Sequence, residues 1–124
     1  MSATMGNTVR ESMVAGADLS GNQFYAVKMN TTDRTVVLAG NGEAAFGILI
    51  GTPVSGAAAT VVTHGRTTVE VGTGGISAGD NVAVEAGGKI VTAASGDVII
   101  GVAVYDAAVS TRGTIDFFRG GNTA

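Results

Sequence analysis

The stretch Gly42-Glu43-Ala44-Ala45-Phe46-Gly47-Ile48-Leu49-Ile50 decides the fold, because the chain contains it twice. Gly96-Asp97-Val98-Ile99-Ile100-Gly101-Val102-Ala103-Val104 matches it at an offset of 54 residues. Each copy is a short apolar run entered from a Gly-acid turn, the pattern of a buried strand. Each also carries one glycine in mid-run, Gly47 and Gly101. A glycine inside a strand signals a bulge, a bend or a close approach of another backbone.

Working outward, the offset persists to Thr60-Val61, which falls on Thr114-Ile115. Upstream, Tyr25-Ala26-Val27-Lys28 matches Asn81-Val82-Ala83-Val84 after a shift of two residues. The pseudo-repeats therefore span about 22–65 and 79–120. Two copies are fewer than a solenoid needs, so they predict a pseudo-twofold barrel or sandwich made of two similar β units.

The remainder of the chain reads the same way. Candidate strands are 23–29, 34–38, 45–50, 59–63, 67–71, 81–85, 89–92, 98–105 and 114–118, separated by Gly-bearing turns. Residues 67–71 and 81–85 alternate, as strands with one wet face do. Of 124 residues, 39 are β-branched Val, Ile or Thr, whereas Leu occurs only 3 times, and this favours pleated sheet over helix. The expectation is an all-β fold, a small Gly-rich β-barrel or β-sandwich, as a single domain over 18–124.

Residues 1–17 read differently. Met1, Met5, Val9 and Met13 recur every four residues, a stripe too thin to stabilise an isolated helix. The segment is expected to be an N-terminal arm that orders only against a partner. Extended, such an arm reaches about 50 Å. Met1, Met5, Val9, Arg10 and Met13 are its candidate contact residues.

Charge and composition narrow the function. The formal net charge is −3 and the five arginines are scattered singly, so no cationic stripe marks a nucleic-acid partner. With no Cys and one His, thiolate metal sites and cysteine nucleophiles are excluded. No apolar run is long enough to span a membrane, and no signal-peptide pattern opens the chain.

Three patterns imitate catalytic or cofactor motifs. Gly75-Ile76-Ser77-Ala78-Gly79 has the form of a nucleophile elbow, but no helix pattern follows it and His64 precedes it, the reverse of the required order. Gly40-Asn41-Gly42-Glu43-Ala44-Ala45 has the form of a dinucleotide loop, but it leads into a strand rather than the helix that would hold a pyrophosphate. Val27-Lys28-Met29 resembles the modified lysine of biotinyl carrier domains, yet Lys28 sits inside a strand-like run rather than at a hairpin tip. No calcium loop is present. No catalytic, cofactor or metal residues are therefore assigned, and the chain is not expected to be an enzyme.

The serial order of these pieces resembles tailed-bacteriophage capsid decoration proteins, also called cement or head-stabilisation proteins. Ala17-Asp18-Leu19-Ser20-Gly21 leading into Phe24–Lys28, then Val36–Gly40 and Ala45–Leu49, match the family's opening. Ala59–Val62, Ile76–Asp80 and Val98–Ala103 continue it, and the likeness covers roughly residues 15–118. The resemblance implies a β-tulip-like protein, usually trimeric, on the outer face of an icosahedral head at or near threefold positions. Its partners would be the major capsid protein and itself, without nucleic acid, membrane or cofactor. Its place would be the virion surface, after synthesis in the host cytoplasm. It would stabilise the shell by bridging neighbouring capsomers. The alternative is a small-molecule-binding or biotinyl/lipoyl-carrier-like β domain.

Overall fold

The computed structural model describes residues 8–118 and 122–124. It is all-β, with no helix among the described residues. The strands are β1 (Val9–Ala15), β2 (Ala26–Met29), β3 (Thr35–Leu38), β4 (Gly47–Leu49), β5 (Ala58–Glu70), β6 (Asn81–Val84), β7 (Ile90–Thr92), β8 (Gly101–Ala103) and β9 (Arg112–Phe117). They form one sheet in the order β1-β3-β2-β4-β5-β9-β8-β6-β7, with an additional β1–β5 pairing.

That additional pairing closes β1, β3, β2, β4 and the near half of β5 into a ring. The second half makes the same circuit. Its β9 pairs with the far half of β5 over Gly65–Glu70, and a parallel bridge from Val71 to Ile90 joins the end of β5 to β7. The 13 residues of β5 thus serve both rings, closing one and opening the other.

The two rings agree in register. Val27 opposes Gly47 as Val82 opposes Gly101. Ile48 opposes Val62 as Val102 opposes Asp116, and Lys28 opposes Val37 as Ala83 opposes Val91. Ala15 lies parallel to Val36 as Val71 does to Ile90. The loops agree as well: Leu19 N–H donates to the Pro53 carbonyl and Ile76 N–H to that of Ala107, both at 2.9 Å.

This register corrects two expectations. The match of β2 to β6 is displaced by one residue relative to the later strands' correspondence, Val27 to Val82, rather than two. The predicted arm gives way from Val9 onward, because β1 is the first strand of the first ring and the counterpart of residues 65–71. It pairs with β5 from Val9–His64 to Val14–Ala58, with a register shift after Val9. The spacing of four among the methionines suggests a helical stripe. The informative spacing is instead the two residues between Met13 and Ala15, both buried, with exposed Val14 between them. Met1 and Met5 lie outside the described residues.

Two apolar clusters hold the rings. First-ring residues Met13, Ala15, Leu19, Val27, Val36, Leu49, Ala59 and Val61 make one. The other gathers Val69, Val71, Val82, Val84, Ile90, Ile115 and Phe117 with Ala26, Ala45 and Ile48 from the first half. Neighbours along one strand thus enter different clusters, Val27 and Leu49 one, Ala26 and Ile48 the other. Burial on both faces explains why β4 reads as an unbroken apolar run. Each buried Val, Leu, Ile or Phe contributes about 1.5–3 kcal/mol against the chain's conformational entropy.

The paired glycines follow from this geometry. A Cβ on Gly47 would strike the Val62 carbonyl oxygen and the Val61 side chain, and one on Gly101 would strike the Asp116 carbonyl oxygen. Val62 and Asp116 are counterparts, so the same close backbone approach is built twice.

Candidate interaction surfaces

Two of the motif-like stretches, 75–79 and 40–45, are placed in turns and loops, and the third, 27–29, lies within β2. Ser77 is exposed, and its N–H donates to Asp80 Oδ2 at 3.2 Å. Asp80 also accepts the Thr92 hydroxyl at 3.0 Å, while Asp106 accepts the Ala78 N–H at 2.8 Å. Both carboxylates are occupied in holding loops, as Asp near a turn usually is. His64 is exposed within β5. In the 40–45 loop, Glu43 accepts the Gly40 N–H at 2.6 Å and the Lys28 ammonium at 2.9 Å. Those two donors, Lys28 foremost, hold the Glu43 carboxyl below its ordinary value. Lys28 is therefore an ion-paired residue within β2, not the free tip of a hairpin. Among the described residues no group of three His, Cys, Asp or Glu is placed to hold a metal ion.

The expected contact residues separate. Val9 is 49% exposed and Arg10 is exposed, whereas Met13 is 7% exposed and belongs to the first-ring cluster. Met13 is thus a core residue and is withdrawn as a contact candidate. Three other exposed apolar side chains, Val54, Tyr105 and Val109, stand on the loops between β4 and β5 and between β8 and β9. These loops are counterparts. The sequence pattern places Val54 and Val109 in Gly-bearing turns but Tyr105 at the end of a candidate strand, whereas β8 ends at Ala103.

Among the described residues, two depressions are of note. One, of about 320 Å³, is apolar and lies between counterpart segments, residues 44–46 on one side and 98–100 on the other. The second, of about 360 Å³, is polar and is framed by the loop before β2, Thr52, Glu70 at the end of β5, and Arg112 at the start of β9.

A left-handed residue adjoins the second depression, between its lining residues Gln23 and Tyr25. Phe24 holds φ at 72°, a left-handed conformation that costs a residue with a side chain about 1–2 kcal/mol. Its counterpart is Gly79, with φ 88°. The Phe24 N–H donates to the Leu49 carbonyl at 2.6 Å and the Gly79 N–H to that of Ala103 at 2.8 Å, the same bond in the two rings. The Phe24 carbonyl also accepts the Glu70 N–H at 3.0 Å. The Arg112 guanidinium carbon lies 4.7 Å from the centre of the Phe24 ring, and Arg112 Nε is 3.5 Å from Glu70 Oε1. Nothing in the local sequence marked Phe24, because a left-handed aromatic residue is imposed by the contacts around it.

No family model matches the chain, and no curated protein matches it. Among solved structures it is similar to the head fiber gp8.5 N base in bacteriophage phi29, with a TM-score of 0.72 and 16% sequence identity. The alignment covers 94% of this chain and 99% of that one. The two share the all-β fold over nearly their whole lengths.

Proposed function

We propose that this chain is a structural protein of a tailed-phage virion, seated on the outer surface of the icosahedral head. The observation that carries this reading is the end-to-end likeness of its fold to the base of a phage head fiber. The serial resemblance to decoration proteins across residues 15–118 supports the same reading from the sequence. In the 75–79 and 40–45 loops the carboxylates of Asp80, Asp106 and Glu43 are engaged in holding the backbone, which supports a structural role.

In this reading the protein bridges neighbouring capsomers as a homotrimer. A modest core with few aromatic residues gains from burial against other copies. Three linked contacts raise avidity well above that of one, and a ligand that prefers the assembled shell stabilises it by mass action. The contacts with the major capsid protein involve Val9 and Arg10 at the exposed start of β1, with Met1 and Met5 before them. The counterpart loops carrying Val54, Tyr105 and Val109 supply further apolar contacts.

The test is co-sedimentation with undecorated phage heads, together with light scattering of the free protein. Saturable pelleting at a fixed ratio to capsid subunits, and greater thermal stability of the decorated shell, are the expected results. A protein that stays in the supernatant at every shell concentration would overturn the reading. A species that is monomeric both free and bound would remove the trimer while leaving attachment intact.

A further inference from the structure

We propose that the polar depression beside Phe24 binds a saccharide unit. Its lining alternates hydroxyl and amide groups, from Ser20, Gln23, Tyr25 and Thr52, with one carboxylate and one guanidinium, Glu70 and Arg112. The two charges are opposite and close, 3.5 Å between Arg112 Nε and Glu70 Oε1. The depression therefore carries little net charge, and a second carboxylate or a phosphate would face Glu70 at unfavourable range. A neutral polyol fits: adjacent sugar hydroxyls donate to a carboxylate and accept from a guanidinium or amide.

The sister half gives the second line of argument. At the counterpart loop the strain-free Gly79 replaces Phe24, and Asp106 closes onto the Ala78 N–H. The fold alone is thus satisfied by glycine and a closed loop. The first half instead keeps an aromatic residue in a strained conformation beneath Arg112, and retained strain of this kind clusters at binding sites. Gln23 is anchored by donation from Nε2 to the Ile50 carbonyl at 3.1 Å, which fixes one wall before any ligand arrives.

The experiment is an amide-resolved NMR titration of the full chain with glucose, galactose and N-acetylglucosamine, with inorganic phosphate as a separate arm. At least one sugar is expected to shift the amides of residues 20–25, Thr52 and Glu70 saturably, with a Kd on the order of 1 mM, as suits a ligand of that size. Glu70→Gln is expected to weaken that sugar about tenfold, with the rest of the spectrum unchanged. Phe24→Gly adopts the sister half's solution at this position and is expected to abolish binding while leaving the fold intact. The proposal is overturned if none of the three sugars moves these amides saturably. It is equally overturned if phosphate alone does so, or if both variants bind as the parent does. Binding here stands or falls independently of attachment to a shell.

Discussion

Arg10 and Arg66 occupy the same ladder position in the two halves, yet only Arg66 faces a carboxylate. Arg10 lies opposite Val62, whereas Arg66 lies opposite Asp116 and grips it through Nε at 2.8 Å and a second guanidinium nitrogen at 3.2 Å. Phe24 and Gly79 differ in the same way, sharing a backbone conformation but not a side chain. Gly47 and Gly101 do not differ at all. The comparison teaches which positions the architecture demands and which it leaves open. At Gly47 and Gly101, where the Val62 and Asp116 carbonyl oxygens fill the space of a Cβ, both halves keep glycine. Where only solvent or a loop adjoins, the halves have gone separate ways.

The comparison breaks most severely if β1 is removed. Deleting residues 1–17 takes away the strand that closes the first ring, with Met13 and Ala15 from its core. Large core truncations alone cost about 2–5 kcal/mol, a large share of a small domain's total stability. The truncated chain is expected to lose cooperative thermal unfolding and amide dispersion. A well-folded truncation would mean that the second ring does not need its counterpart.

Next in size are the paired glycines. Gly47→Val and Gly101→Val are each expected to destabilise by about 3 kcal/mol, since overpacking here displaces a backbone carbonyl rather than a flexible side chain. The informative quantity is their similarity in urea melts. A Gly101 variant that melts like the parent while the Gly47 variant collapses would show that the two close approaches are not equivalent.

Gly79→Ala separates conformation from space. A Cβ there meets nothing within 4 Å, yet φ is 88°. A loss of about 1 kcal/mol is expected from the left-handed backbone alone, read as a lower midpoint at unchanged denaturant slope.

A smaller effect sharpens the arginine comparison. Hydrogen bonding by Arg66 holds the Asp116 carboxyl below its ordinary value of 3.8. The pair therefore stabilises the fold above that pH, and the contribution fades as pH falls through the lower folded-state value. Asp116→Asn should thus cost a little stability at neutral pH and nothing in strong acid. Both side chains are substantially exposed, so the effect is that of a screened surface pair. Arg10→Ala, with no carboxylate opposite, should show no such pH dependence in parallel melts.

The smallest expected effects are at Ser77 and His64. Alanine at either position should stay within about 0.5 kcal/mol of the parent, because both side chains are exposed. A large loss at Ser77 would show that the 75–79 turn does more than connect β5 to β6.

Much of this fold was legible in the sequence, for an identifiable reason. Strand character is local: apolar runs broken by Gly-bearing turns, with a glycine at the same place in two runs, predict strands and a doubled unit without knowledge of partners. The repeat from Gly42 and from Gly96 carries that information in nine consecutive residues each. Pairing is not local. Val9–Ala15 and residues 65–71 are counterparts, but they share little beyond an arginine and a hydroxyl residue. What makes β1 a strand is the open side of β5 and the parallel edge of β3, which no short-range pattern encodes. The depression beside Phe24 was hidden for the same reason. It brings together Glu70 and Arg112, far apart in the chain, and adjoins a left-handed aromatic residue held by hydrogen bonds to Leu49 and Glu70. Local sequence determined most of the strand segments and that there would be two similar sets. Only tertiary structure decided where the first set begins, which strand closes it, and which half carries a pocket, because those depend on backbone groups and side chains that meet only after the rings close.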